Sequence, residues 1–348
     1  MEPVIQDTAC ARITGPGEFG LIGRIAAGAV PYDGAGVVTG IGDDAAVTSL
    51  SEGMQLLSST DMLLEGVHFR RCWHDAFRLG RKSLAVSVSD IAAMGGNPRW
   101  ALLSLALPRD LPLEFFDEFV HGFLAFASEN RVALIGGDTC TSRSGLAISV
   151  TVMGEQYPER IIRRSGAMAG NDIWVTGTLG DAALGLELLE AGVDFAKPDG
   201  ADGCGYLISR LLDPVPRVSA ALALADAGLA TAMIDISDGI LADFGHIAEQ
   251  SGVGGCLRLA DLPLSAPFKA GTAHLPVRPF HLALSGGEDY ELCFTAPSTN
   301  REKIISTMKT CGVEVTPVGI VNSCPEVAVI NPGGGRCNVT TAGFNHFA

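Results

Sequence analysis

Two α/β domains are what this sequence predicts, and three observations carry that expectation. The chain has 348 residues, more than one hydrophobic core of ordinary size organises. Apolar runs of strand length recur between segments of helical period, as in mixed helix–sheet layers. Hydrophobic residues make up 47%, charged residues 18% and aromatics 6%, beside 43 glycines. That composition fills cores and leaves many tight turns and loops able to carry sites.

In chain order, Glu18–Ala29 predicts a short helix with Phe19, Ile22, Ile25 and Ala26 on one face. Met54–Ser59 reads as a strand running into Thr60-Asp61. A helical-period segment from Asp75 to Met94 is stopped by Gly95-Gly96-Asn97-Pro98. A second helix follows Pro112, with Phe115, Phe116, Phe119, Phe123, Leu124 and Phe126 as core. Strand Val132–Ile135 runs into Gly136-Gly137-Asp138, and strand Leu146–Val152 closes the first half. Residues 154–170 are rich in Gly, charge and turn formers, which divides the chain into 1–155 and 156–348. The second half opens with strand Asp172–Thr176, a glycine turn and a helix over Asp181–Ala191. Met233-Ile234 leads into Asp235-Ile236-Ser237-Asp238-Gly239, and helices are expected at Val218–Gly228, Leu241–Ser251 and Arg301–Cys311.

The formal net charge is −15. Nucleic acid needs a Lys/Arg footprint that this chain lacks. The same field repels ATP or a phosphate ester, so a phosphate-handling protein of this composition needs cations inside its site. Nine cysteines are scattered with no Cys-x-x-Cys pair, which predicts free thiols in a reducing cytoplasm rather than disulfides or zinc. The first residues have neither a basic start nor an apolar stretch, so no signal peptide is expected. No apolar run reaches about 18 residues, so no membrane span is expected either.

Acidic residues cluster in short strings: Gly42-Asp43-Asp44, Ser59-Thr60-Asp61, Ser89-Asp90, Gly137-Asp138-Thr139, Asp235-Ile236-Ser237-Asp238 and Gly287-Glu288-Asp289. Several follow strand-like runs, and ligands of α/β proteins bind at strand ends. Two like charges about 4 Å apart repel by about 4 kcal/mol at an effective dielectric of 20. Several such pairs would consume much of a domain's stability of roughly 5–15 kcal/mol. Such clustering persists where protons or hard cations neutralise it, and Asp with Ser/Thr oxygens suits Mg²⁺ bridging to phosphates. Any one string alone reads better as a helix cap or turn; six together favour a metal site.

Other phosphate devices are missing. There is no P-loop, no protein-kinase catalytic loop to accompany Asp243-Phe244-Gly245, and no 12-residue EF-hand spacing after Asp235. Gly177-Thr178-Leu179-Gly180-Asp181 opens a helix after a strand, which fits an anion contact or, better, close helix–sheet packing. His68 lies near Glu65 without a nucleophile elbow, so it reads as a core or ligand-contact residue. His121, His246, His274 and His281 show no metal spacing.

Taken together, GIGDDAAV (Gly40–Val47), STDMLLEGVHF (Ser59–Phe69), VSVSDIAAMGGNP (Val86–Pro98), LIGGDT (Leu134–Thr139), TGTLGDAALGL (Thr176–Leu186), DISDGILADFGHI (Asp235–Ile247) and SGGEDYELCFT (Ser285–Thr295) resemble the thiamine-monophosphate kinase family. LIGGDT alone marks only the wider superfamily of aminoimidazole ribonucleotide synthetase and selenophosphate synthetase. DISDG, SGGEDYEL and the terminal AGFNHF are specific to the kinases, and the likeness spans essentially the whole chain.

The resemblance implies an α/β (α+β) fold of the aminoimidazole ribonucleotide synthetase type. Its N-terminal domain carries metal and ATP loops and pairs in a homodimer; its C-terminal domain completes the nucleotide and substrate site. It implies an enzyme that phosphorylates thiamine monophosphate with ATP, the last step of thiamine diphosphate synthesis. The family's Mg²⁺ ligands fall on Asp44, Ser59, Thr60, Asp61, Asp90, Asp138, Asp235 and Asp238. ATP contacts fall on Gly137, Asp138, Arg164 and Ser237, with Asp90, Asp138 and Arg164 as the catalytic set. Substrate contacts fall on His68, Glu288 and Phe344. Asn345 stands where the pattern has Asp, a one-residue insertion falls between Asp61 and Asp90, and the neighbouring Arg163 is the alternative to Arg164. The acceptor is already an ionised phosphate oxygen, so transfer depends on alignment and charge neutralisation without a general base. Two other readings are a synthetase of the same superfamily and a non-catalytic Mg²⁺–nucleotide binder. Cys10 lacks a glycine-rich selenide context, and none of the mapped acidic ligands is missing.

Overall fold

The computed structural model describes residues 11–193, 203–272, 279–337 and 343. These form two compact units that do not follow the chain linearly. The first comprises the chain up to Ser49, Thr60–Leu84 and Arg99–Val152; the second comprises Leu50–Ser59, Ala85–Pro98 and the chain from Met153 onward.

The first unit begins with α1 (Gly17–Gly28) and the antiparallel pair β1 (Val37–Thr39) and β2 (Val47–Thr48). Strands β3 (Gln55–Leu64), β4 (Asn97–Pro108), β5 (Ala133–Ser142) and β6 (Ala147–Gln156) form a four-stranded sheet in the order β3-β6-β4-β5. Strands β4 and β5 run parallel. Strand β4, which begins at the expected helix stop, is an addition to the elements read from sequence. Helices α2 (Ala76–Ala93) and α3 (Leu113–Glu129) match the two long helical patterns. The inward stripe of α3 is Phe116, Phe119, Phe123 and Phe126, whereas Phe115 and Leu124 are only half-buried. Gly80 and Gly122 let α2 and α3 approach closely, since a Cβ on Gly122 would stand 1.9 Å from the Phe77 carbonyl oxygen. Strands β3, β4 and β6 and helix α2 each pass from one unit into the other.

His74, just before α2, is 3% exposed and meets Phe69 edge-on at 6.2 Å. Burial pushes its imidazole down to about 3, and the Lys82 charge adds to the effect. A base whose folded-state pKa lies below its ordinary 6.5 contributes stability that is present above pH 6.5 and lost as pH falls toward 3. We therefore expect wild type to lose about 2 kcal/mol more than His74→Phe between pH 7 and pH 5. Urea unfolding of both proteins at the two pH values measures this difference, and equal losses would refute it.

The second unit holds a seven-stranded sheet in the order β13-β12-β9-β11-β7-β10-β8. Its strands are β7 (Asn171–Thr176), β8 (Ala232–Asp235), β9 (Gly254–Arg258), β10 (Leu292–Pro297), β11 (Val315–Asn322), β12 (Val327–Ile330) and β13 (Arg336–Cys337). All neighbours pair antiparallel except β12 with β9. Helices α4 (Asp181–Glu190), α5 (Cys204–Leu212), α6 (Val218–Asp226), α7 (Ile240–Ser251), α8 (Ala266–Gly271), α9 (Pro279–Ser285) and α10 (Arg301–Thr310) complete it. Trp174 of β7 stacks on Phe294 of β10 with ring centroids 6.2 Å apart. Around them Leu224, Met233, Leu292, Ile304 and Met308 exclude water and form one core. Among the described residues, no helix is long and apolar enough to cross a membrane.

Candidate functional site

In the second unit, Asp90 sits one turn from the end of α2, where apolar Ile91, Ala92 and Ala93 are buried beside it. The Ser59 hydroxyl donates to the Asp90 carboxylate. The next residue back, Ser89, donates to Asp235 Oδ2 at 2.7 Å. Asp235 is the last residue of β8, an edge strand paired with β10, and is 3% exposed. Burial pushes its carboxyl up to about 7, the Asp90 charge pushes further, and the Ser89 hydrogen bond and Arg164 charge oppose them. Asp243, in the first turn of α7, accepts from the backbone N–H groups of Asp238 at 3.1 Å and Gly239 at 3.0 Å. That fastens the loop bearing Ser237 and Asp238, and burial raises the Asp243 carboxyl to about 8.

The loop at Glu288 is bonded to the same segment. Glu288 N–H donates to the Ser237 carbonyl at 2.8 Å, and Tyr290 N–H to the Ile236 carbonyl at 2.9 Å. Ile236 N–H donates back to the Glu291 carbonyl at 2.8 Å. Arg163 and Arg164 are both exposed. The Arg163 carbonyl accepts from the Met233 N–H of β8, and the Arg164 charge acts on Asp235.

In the first unit, Thr60 and Asp61 continue β3, and Thr60 Oγ1 donates to the Val150 carbonyl at 3.2 Å. Gly137 and Asp138 lie within β5, where a Cβ at position 137 would stand 1.8 Å from the Leu103 carbonyl oxygen. Asp44 and Asp138 are exposed. His68 Nδ1 accepts from the Leu64 N–H at 3.0 Å, which assigns the ring proton to Nε2. The neighbouring Glu65 is engaged by Arg71 at 2.7 Å and by the Leu146 N–H at 2.8 Å, so it does not orient His68 as a triad would. Phe344 lies outside the described residues, as do Asn345, Cys10 and His274.

One expectation changes. The acidic strings at Ser59 and Gly137 lie inside strands, because exposed strand positions accept polar residues without ending the ladder. The Gly177–Asp181 turn is tightly packed, as its preferred reading has it: Gly180 N–H donates to Asp289 Oδ2 at 2.8 Å, and a Cβ on Gly180 would stand 2.8 Å from the Phe268 ring. Among the described residues, no three His, Cys, Asp or Glu side chains converge closely enough to ligate a metal by themselves. The oxygen-only donors nevertheless fit Mg²⁺, which commonly takes one or two carboxylates and completes its shell with phosphates and water. The upward push that Asp90 exerts on buried Asp235 is the mark of a pair that a cation would relieve.

Residues 42–156 match the family model described as AIR synthase related protein, N-terminal domain. The chain is 39% identical over 333 residues to the thiamine-monophosphate kinase of Escherichia coli (strain K12), covering 95% of this chain and 98% of that one. It superposes on the crystal structure of thiamine-monophosphate kinase from Stenotrophomonas maltophilia K279a with TM-score 0.81 at 40% identity, covering 90% of this chain and 96% of that chain. A solved structure of AaThiL complexed with AMPPCP and TMP matches with TM-score 0.75 at 35% identity, covering 97% and 99%. With buried Asp235 and Asp243 beside the acidic strings, and whole-length likeness to such relatives, the chain belongs to the thiamine-monophosphate kinase family.

Proposed function

We propose that this protein transfers the γ-phosphoryl group of ATP directly to the phosphate of thiamine monophosphate, yielding ADP and thiamine diphosphate. The observation that carries the reading is the Asp90–Asp235 carboxylate pair, each held by a serine hydroxyl, in a chain similar to a relative solved with AMPPCP and TMP. An acceptor phosphate oxygen attacks the γ-phosphorus as the bond to the bridging oxygen of ADP breaks, and no proton need be removed. Asp44, Ser59, Thr60, Asp61, Asp90, Asp138, Asp235 and Asp238 would hold several Mg²⁺ ions. When bound, those cations neutralise charge on the polyphosphate. Arg164 and Ser237 contact the nucleotide, with Gly137 and Asp138, and His68, Glu288 and Phe344 contact the substrate. Chromatography after incubation with ATP, thiamine monophosphate and Mg²⁺ should show thiamine diphosphate. No product, or a phosphorylated protein on the reaction path, would count against the proposal.

The same reading makes the protein a homodimer paired through its N-terminal domain. Strand β3 ends the order of its sheet, and its Met62 and Leu64 are 58% and 37% exposed. An apolar edge of this kind is blunted by pairing with a second copy. Sedimentation equilibrium should give twice the 36.2 kDa chain mass, and a monomer at micromolar concentration would discount it. The described cysteines are all free, which suits a cytoplasmic enzyme. Recovery outside the cytosolic fraction would contradict that placement.

A further inference from the structure

Glu288 and Tyr290 both adopt left-handed backbone conformations, with φ of 69° and 50°. Neither is a glycine, and side-chain-bearing residues rarely hold such angles unless their surroundings enforce them. The enforcing contacts come from the residues that alternate with them. Asp289 is 1% exposed, and its Oδ2 accepts from Gly180 N–H at 2.8 Å. Glu291 is fully buried and accepts from Arg210 at 2.9 Å, from Arg217 Nε at 2.6 Å and from Thr176 Oγ1 at 2.7 Å. Arg210 also donates to the Asp289 carbonyl at 3.0 Å. Gly177 fits only because it lacks a side chain, since a Cβ there would stand 2.2 Å from Glu291 Oε1.

We propose that Asp289 and Glu291 are positioning residues for the substrate, clamping the 288–290 backbone on the Gly177–Gly180 turn and on Arg210 and Arg217. The clamp fixes where the Glu288 carboxylate meets the cationic ring system of the acceptor. This rests on the reading of Glu288 as a substrate contact. Burial raises the Asp289 carboxyl to about 8, so Asn is close to its neutral form and keeps an acceptor for Gly180.

The test compares Asp289→Ala, Asp289→Asn and Arg217→Lys in the full chain. Asp289→Ala should raise KM for thiamine monophosphate at least tenfold while KM for ATP changes less than threefold. Asp289→Asn should restore both to within threefold of wild type. An unchanged acceptor KM in Asp289→Ala, or an equal rise in both constants, overturns the clamp. Should Asp289→Ala fail to fold, Arg217→Lys decides by the same comparison, because Lys keeps the charge and loses the two-pronged contact. A readout that needs no substrate is hydrogen exchange of the Glu288 and Tyr290 amides, expected at least tenfold faster in Arg217→Lys with the β7 amides unchanged. Unchanged exchange overturns the clamp, whereas an inactive wild-type enzyme with accelerated exchange overturns only the assignment of substrate.

Discussion

Replacing Asp90 with Asn is expected to lower turnover of thiamine monophosphate by at least about 100-fold, equivalent to about 2.7 kcal/mol of transition-state stabilisation. Phosphoryl transfer asks little of side chains beyond alignment and compensation of charge, so loss of Asp90 as the proposed cation ligand should fall on the rate. The fold should survive, because Asp90 works against the apo protein by raising buried Asp235. A carboxyl with a raised folded-state pKa contributes stability below its unfolded value and loses it as pH rises through the folded one. At pH 8, Asp90→Asn should therefore unfold at the same or higher urea concentration than wild type without Mg²⁺. The same replacement at exposed Asp138 should also remove most turnover. Near-wild-type kcat/KM in both variants would show that the cation ligands have been assigned to the wrong residues.

Glu291→Ala is expected to destabilise the second unit by about 3–5 kcal/mol, the cost of leaving a buried partner charge unpaired. Glu291 has no exposed side-chain surface, while Arg210 and Arg217 retain only 10% and 20%. Burial works against the Arg217 charge, yet the hydrogen bonds and charge of Glu291 hold its pKa above the ordinary value. Removing the carboxylate leaves two guanidinium groups and Thr176 Oγ1 without their acceptor. Urea unfolding followed by the fluorescence of buried Trp174 measures the loss. A change below about 1 kcal/mol would mean that water or a neighbouring acceptor replaces Glu291 at little cost.

Helices α1, α2, α3, α4, α6, α7 and α10 were legible within a residue or two, because helical periodicity is a property of neighbours three and four apart. Strand β7 was legible as an apolar run between turns. Strands β9, β12 and β13 were not, since they are short and their pairing is chosen by partners far along the chain. The acidic strings could be read for the same local reason, as strings. Asp243 also left a trace, four residues after Gly239 in the first turn of a helix, where a carboxylate caps backbone N–H groups. Arg210 and Arg217 left none, because their partner Glu291 lies 81 and 74 residues away.

By itself the sequence determined the residue types of the proposed site, carboxylates and hydroxyls in short glycine-flanked strings, and through those strings the family. Only the tertiary structure decided which of these meet, bringing Ser89 to Asp235 across 146 residues and setting the loop at Glu288 on the one at Ser237. The physical reason is one of range. Local periodicity is written in adjacent side chains, whereas the meeting of distant charges follows from sheet register and helix packing, which sum weak preferences over the whole chain.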